Sequence, residues 1–140
     1  MANKETETNI YESLLSHEEW IKIIAKKIKT NKFDILKTSI GPLSEDQLGF
    51  MGDHLKLTAT VNLHVEKKEL NLLFFAKSIP QKNEAFREYV DTIGAFVKET
   101  GFFSDLVSDL NKHVIKMKVD CEEVNTNTWT CECYYSKADI

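Results

Sequence analysis

The first strong pattern along the chain is a stripe of apolar residues at helical spacing near the amino terminus. Four residues form this stripe: Trp20, Ile23, Ile24 and Ile28. Ser16 precedes it, and Glu19 follows at the three-residue spacing of a capping box, in which each side chain accepts a hydrogen bond from the other residue's backbone N–H. The sequence therefore predicts an N-terminal amphipathic helix that packs on the outside of a sheet.

Segments with the patterns of β-strands follow this helix. Residues 33–40 predict a first strand. Between residues 55 and 65, apolar and polar residues alternate strictly, which is typical of a half-buried antiparallel strand. A charged turn at residues 66–69 leads into an unbroken apolar run that ends at Lys77. We expect the two strands to form a hairpin, and we expect the apolar run to be a central strand with both faces covered.

The C-terminal half begins with helical spacing and ends with alternation. Asn83 can cap a long helix whose apolar stripe continues past Gly94. A glycine inside a helix costs about 1 kcal/mol relative to alanine, so we expect a neighbouring backbone to approach it closely. Alternation over residues 115–121 and 129–135 predicts two more strands. Residues 1–140 are thus predicted to form one α+β domain, an antiparallel sheet of about five strands with a helix packed across it.

The residue of this sheet with the clearest chemistry is Lys77, at the end of the apolar strand. An ammonium group at that position is poorly hydrated and needs an anion, either a carboxylate or a ligand's phosphate. Kinase-like sites use a strand lysine that holds ATP phosphates and is oriented by a helix glutamate, a role that Glu99 could take. A lysine that extends to water and a solvent-facing glutamate explain the same pattern. Glu88 lies on nearly the same side of the helix, so periodicity does not choose between the two glutamates.

The most glycine-rich part of the chain is the loop over residues 41–54, which contains Gly49 and Gly52. Backbone N–H groups in such turns can cradle phosphates. The glycine spacing matches neither the dinucleotide-binding nor the P-loop pattern, and an ordinary connection between two strands is the alternative.

Three cysteines and a histidine near the carboxyl end suggest a zinc site at first sight. They are Cys121, Cys131, Cys133 and His113. A single residue separates Cys131 from Cys133, whereas structural zinc sites use two to four intervening residues. The pattern favours reduced thiols that pack as small apolar side chains.

Composition narrows the classes of function. The chain has 140 residues and a net charge of −4, which argues against a sequence-blind nucleic-acid binder because such proteins need a basic face. It contains no apolar stretch of membrane-spanning length. Its polar N-terminus is not followed by the apolar region that a signal peptide would have. We therefore expect a cytoplasmic protein without membrane or nucleic-acid partners.

Three motifs resemble the insect ecdysteroid kinase-like (CHK kinase-like) family, relatives of the aminoglycoside and choline kinases. They are LFFAKSIP at residues 73–80, NEAFRE at residues 83–88 and FVKETGFF at residues 96–103. Residues 133–135 resemble the strand shortly before the hinge between the two kinase lobes. The resemblance extends over residues 41–140.

This resemblance implies a protein-kinase-like N-terminal lobe with an αC-type helix and, in this chain, an extra N-terminal helix. Lys77 would hold the ATP phosphates and Glu99 would orient Lys77. The loop containing Gly49 and Gly52 would cover the nucleotide, although it lacks the serine that the family places beside its second glycine.

The resemblance also implies an ATP-dependent phosphotransferase that acts on a hydroxyl of a steroid-like or other small metabolite. The family's catalytic aspartate and Mg²⁺ ligands come from motifs of the C-terminal lobe, and neither motif occurs in this sequence. We therefore expect an ATP-binding lobe that is not catalytic by itself, whose partner is the missing lobe. The alternative is a non-catalytic protein-binding module derived from this fold.

Overall fold

Helices and three strands succeed one another in the computed structural model, which describes residues 9–44, 52–110, 112 and 133–137. In chain order the elements are a 3₁₀ turn at Glu12–Leu14, α1 at His17–Ile28, β1 at Phe33–Pro42, β2 at Asp53–Leu63, β3 at Lys68–Ser78, α2 at Glu84–Thr92, α3 at Ala95–Gly101 and a π-helical turn at Phe102–Leu106. They belong to two compact units, Met1–Val90 and Asp91–Ile140. The predicted α+β class with an antiparallel sheet is confirmed.

The start of α1 is fixed by the predicted capping box. Ser16 Oγ accepts a hydrogen bond from the backbone N–H of Glu19 at 3.2 Å, and Glu19 Oε2 accepts one from the backbone N–H of Ser16 at 2.8 Å. Two N–H groups that a helix start leaves without partners are thereby satisfied. The helix ends at Ile28, and the next residue, Lys29, adopts a left-handed conformation with φ 58°.

The sheet has the order β1-β2-β3, and both pairs are antiparallel. The β1–β2 register contains a bulge between Ile35 and Lys37. The β2–β3 register is unbroken from the pair Leu63–Lys68 to the pair Asp53–Ser78, which confirms the predicted hairpin. Its turn comprises residues 64–67, two residues earlier than predicted.

One face of the sheet carries the core and is called the inner face. Its buried residues are Phe33 and Ile40 of β1, Leu55, Leu57, Ala59 and Val61 of β2, and Leu72 and Phe74 of β3. Trp20, Ile23 and Ile24 of α1 are buried as well, and Trp20 lines a small cleft together with Thr38 and Ile40. This places α1 beside β1. Alternation along β2 thus separates core positions from half-buried or exposed positions, as the sequence predicts.

The prediction that β3 is a central strand with two covered faces is wrong for the described part of the chain, where β3 pairs with β2 alone. Leu73 and Phe75 are 62% and 63% exposed. An apolar run records local composition and does not specify which elements cover it. Five strands are not seen either. Residues 115–121 and 129–132 lie outside the described residues, and residues 133–137 are not a strand.

Gly94 divides the predicted long helix into α2 and α3. It adopts a left-handed conformation with φ 62°, and its N–H donates to the carbonyl of Asp91 at 2.9 Å. Its own carbonyl accepts from the N–H of Lys98 at 3.1 Å, so the same residue begins α3. No heavy atom of the described residues lies within 4 Å of the position that a Cβ would take here. The predicted close approach is therefore not found within the described part of the chain, and the backbone conformation is what requires glycine.

We predict that Gly94→Ala lowers the free energy of unfolding by about 1 kcal/mol, because an L-residue is strained at positive φ. Inside a continuous helix the same change would raise stability. The measurement is urea unfolding followed by circular dichroism. Gly101→Ala is the matched control: Gly101 has helical angles and open space around it, so alanine should stabilise there. Stabilisation by Gly94→Ala would contradict the division of the helix.

Candidate functional site

The face of the sheet opposite the core is called the outer face. The residues of this face that form the candidate site are Lys37 and Ser39 of β1, His54, Lys56, Thr58 and Thr60 of β2, and Asn71, Leu73, Phe75 and Lys77 of β3. The register assigns them to this face, since side chains alternate along a strand and directly paired residues of neighbouring strands share a face.

Lys77 lies near the end of β3 and is half-buried. Its cross-strand partner is His54, which follows the buried Gly52 by two residues. Leu73 and Phe75 precede Lys77 on the same side of β3, with steps of about 7 Å between same-face positions. The outer face therefore presents two exposed apolar side chains in a row that ends at a lysine.

Phe75 of this row forms an aromatic pair with His54 of the neighbouring strand. The rings of His54 and Phe75 stack across the two strands, with ring centroids 5.7 Å apart and planes inclined by 28°. His54 is half-buried, whereas Phe75 remains largely exposed. The sequence pattern does not predict this pair, because it depends on which residue of β2 lies diagonally opposite Phe75.

A shallow hollow of about 430 Å³ occupies the middle of the outer face. Two hydrogen-bonded side-chain pairs line the hollow: Ser39 Oγ and Thr58 Oγ1 lie 2.5 Å apart, and Thr60 Oγ1 donates to Asn71 Oδ1 at 2.9 Å. Lys37 and Lys56 also line the hollow. Cations together with hydroxyl groups suit a ligand that carries anionic and hydrogen-bonding groups.

Asp53 stabilises the end of the sheet next to Lys77 and His54. Its Oδ2 accepts hydrogen bonds from the Tyr11 hydroxyl at 3.2 Å and from the backbone N–H of Gln81 at 2.9 Å. One carboxylate oxygen thus joins the N-terminal segment, the start of β2 and the segment after β3. Burial of Tyr11, together with the nearby negative charge of Asp53 and its hydrogen bond, raises the pKa of the Tyr11 phenol above 10.0.

Arg87 of α2 stabilises the same segment from the other side. Its Nε donates to the carbonyl of Pro80 at 2.9 Å, and its guanidinium also donates to the carbonyl of Gln81 at 2.6 Å. Asn83 Oδ1 accepts from the N–H of Phe86 at 3.1 Å, which confirms the predicted cap of this helix. The connection from β3 to α2 is therefore held by charged and capping hydrogen bonds.

The other predicted site residues are placed as follows. Gly52 is buried directly before β2, whereas Gly49 lies outside the described residues. Glu99 is half-buried on α3 in the second unit, and Lys77 belongs to the first unit. The predicted pairing of these two residues stays a prediction. Glu88 is exposed on α2.

Of the cysteine and histidine residues considered for zinc, Cys133 alone is among those described. Its half-buried thiol donates to the carbonyl of Tyr135 at 3.4 Å. Cys121, Cys131 and His113 lie outside the described residues. Within the described ranges, no group of three or more His, Cys, Asp or Glu side chains could hold a metal ion.

Comparison with known proteins yields no relative for this chain. No family model matches it, and neither does any curated protein or any solved structure.

Among the described residues, no helix has both the length and the apolar character needed to cross a bilayer.

We predict that Tyr11→Phe lowers the free energy of unfolding by about 1 kcal/mol at pH 8, because it removes the hydrogen bond to Asp53. A phenol whose pKa is raised by folding stabilises the protein below pH 10, and that stability is lost as the pH rises through the folded-state pKa. The variant should therefore lose less stability than the wild type above pH 10. Urea unfolding across this range is the measurement.

Tyr89→Phe is the matched control, since Tyr89 is 58% exposed and should respond little in either pH range. Equal alkaline losses in wild type and Tyr11→Phe would show that the Tyr11–Asp53 contact does not form in solution.

Proposed function

We propose that this chain is the ATP-binding N-terminal lobe of an ecdysteroid kinase-like small-molecule phosphotransferase. The complete enzyme would transfer phosphate from ATP to a hydroxyl of a steroid-like or other small metabolite. One observation carries the proposal: Lys77 lies on the same face as the exposed Leu73 and Phe75 and opposite His54.

The arrangement suits the two halves of a nucleotide. A base has flat apolar faces, and its stacking on an aromatic side chain contributes about 1–3 kcal/mol. Phe75 offers such a ring, and Leu73 extends the apolar surface. Phosphates need a cation and hydrogen-bond donors, and Lys77 supplies both at the end of the same row. A ligand that is apolar at one end and anionic at the other would therefore match the outer face in one orientation.

The remaining parts of the proposal come from the resemblance. The loop with Gly49 and Gly52 would cover the phosphates, and Glu99 would orient Lys77. ATP would be accompanied by Mg²⁺, but the described residues offer no cluster of acidic side chains for a metal ion. The Mg²⁺ ligands and the catalytic base would therefore belong to a C-terminal lobe.

A non-catalytic protein-binding module is the second candidate. The exposure of Leu73 and Phe75 on one sheet face favours it, since contiguous apolar surface often marks a protein interface. Such a module would use the apolar residues without needing the ammonium group. The two candidates therefore differ in whether Lys77 contributes to binding of ATP.

We predict that Lys77→Met weakens binding of ATP to the 140-residue chain at least about tenfold, since hydrogen bonds to charged groups contribute about 1.5–3 kcal/mol. The measurement is a nuclear magnetic resonance titration with millimolar ATP. Lys68→Met is the matched control, because Lys68 lies at the opposite end of the same strand. If wild-type protein fails to bind ATP, or if Lys77→Met binds it normally, the kinase-lobe proposal is wrong.

We also predict that the purified chain does not catalyse phosphoryl transfer, because its sequence lacks the motifs for the catalytic base and the Mg²⁺ ligands. ATP consumption with and without alcohol acceptors should equal that of buffer. The Lys77→Met protein, prepared identically, reveals any contaminating kinase. Turnover that disappears in this variant would place catalytic groups within these 140 residues.

A further inference from the structure

The stacked pair of His54 and Phe75 has an asymmetry that bears on ligand binding. In the β2–β3 register, Phe75 lies opposite Lys56, and His54 and Thr58 are its two diagonal neighbours on β2. The His54 ring stacks with Phe75 on one side. The side chain on the other diagonal is the short Thr58, which lines the hollow together with Leu73. Phe75 thus contacts an aromatic ring on one diagonal and has only the short Thr58 on the other.

An exposed phenylalanine on a strand samples more than one side-chain rotamer. Contact with a second ring favours the rotamer that makes this contact, and aromatic pairs are more stable than their buried area alone explains. His54 is well suited to restrain Phe75, because it is itself half-buried. It also directly follows Asp53, whose carboxylate is held by two hydrogen bonds. The end of the sheet, through His54, therefore restrains the Phe75 side chain.

We infer that His54 is a positioning residue, which holds the Phe75 ring in the orientation that stacks on the base of a bound nucleotide. This inference rests on the proposed function and deepens it. Phosphate binding belongs to Lys77, and base binding belongs to the His54–Phe75 pair. The two contributions are therefore separable, and the part played by His54 should appear with ligands that contain a base.

Two probes test this division on the full 140-residue chain. Adenosine has the base without phosphate, and tripolyphosphate has phosphates without the base. We expect His54→Ala to weaken adenosine binding roughly three- to tenfold, while tripolyphosphate binding stays within about twofold of wild type. His54→Phe keeps an aromatic ring and should restore adenosine binding. His64→Ala is the matched control, because His64 lies in the hairpin turn at the other end of β2 and pairs with Asp34.

Several results would overturn the inference. Unchanged adenosine binding in His54→Ala would show that Phe75 needs no support. Equal weakening of both probes, or failure of His54→Phe to restore adenosine binding, would assign His54 a phosphate-binding or purely structural role. In those cases tripolyphosphate binding that depends on Lys77 leaves the proposed function intact. If wild-type protein binds neither probe, the inference and the proposed function are both wrong.

Discussion

The unbroken register between β2 and β3 is the constraint on which the rest of this molecule depends. Side chains alternate along a strand, so a slip of one residue would move every core residue to the opposite face. Leu55 and Val61, which are 1% and 0% exposed, oppose any such slip because it would transfer them to water. The same register places His54 opposite Lys77. Burial on the inner face therefore determines the chemistry of the outer face.

Local signals predict local structure well in this chain. Ser16 and Glu19 form the predicted capping box because both partners lie within one helical turn. The alternation that begins at Leu55 predicts a half-buried strand because burial follows the pleat. Two predictions fail because the deciding factor is not local. The apolar run before Lys77 cannot specify which elements cover it. The helical spacing around Gly94 predicts a continuous helix, whereas Gly94 has a left-handed conformation between two helices.

In the candidate site too, the sequence does not predict contacts that depend on non-local geometry. The apolar run and the motif resemblance both point to Lys77, and the register then determines its face and its partner. Neither the stack of His54 on Phe75 nor the contact of Tyr11 with Asp53 has a sequence signal. The first depends on a cross-strand diagonal, and the second joins residues that are 42 positions apart. Contacts of this kind arise from tertiary geometry, which periodicity does not encode.

The distribution of charge on the outer face explains why a net charge of −4 does not exclude an anionic ligand. The carboxylates of Asp34 and Glu69 lie on this face at the hairpin end, where both residues pair with Asn62. Lys77 lies eight residue pairs away, a separation of roughly 26 Å at the usual rise of a strand. Exposed charges are screened over about 8 Å at physiological salt, so a ligand at Lys77 is little affected by those carboxylates. A short anionic group beside an apolar surface, such as the phosphates of a mononucleotide, needs only the electrostatic field near Lys77. A long nucleic acid would also meet the acidic hairpin end of this face.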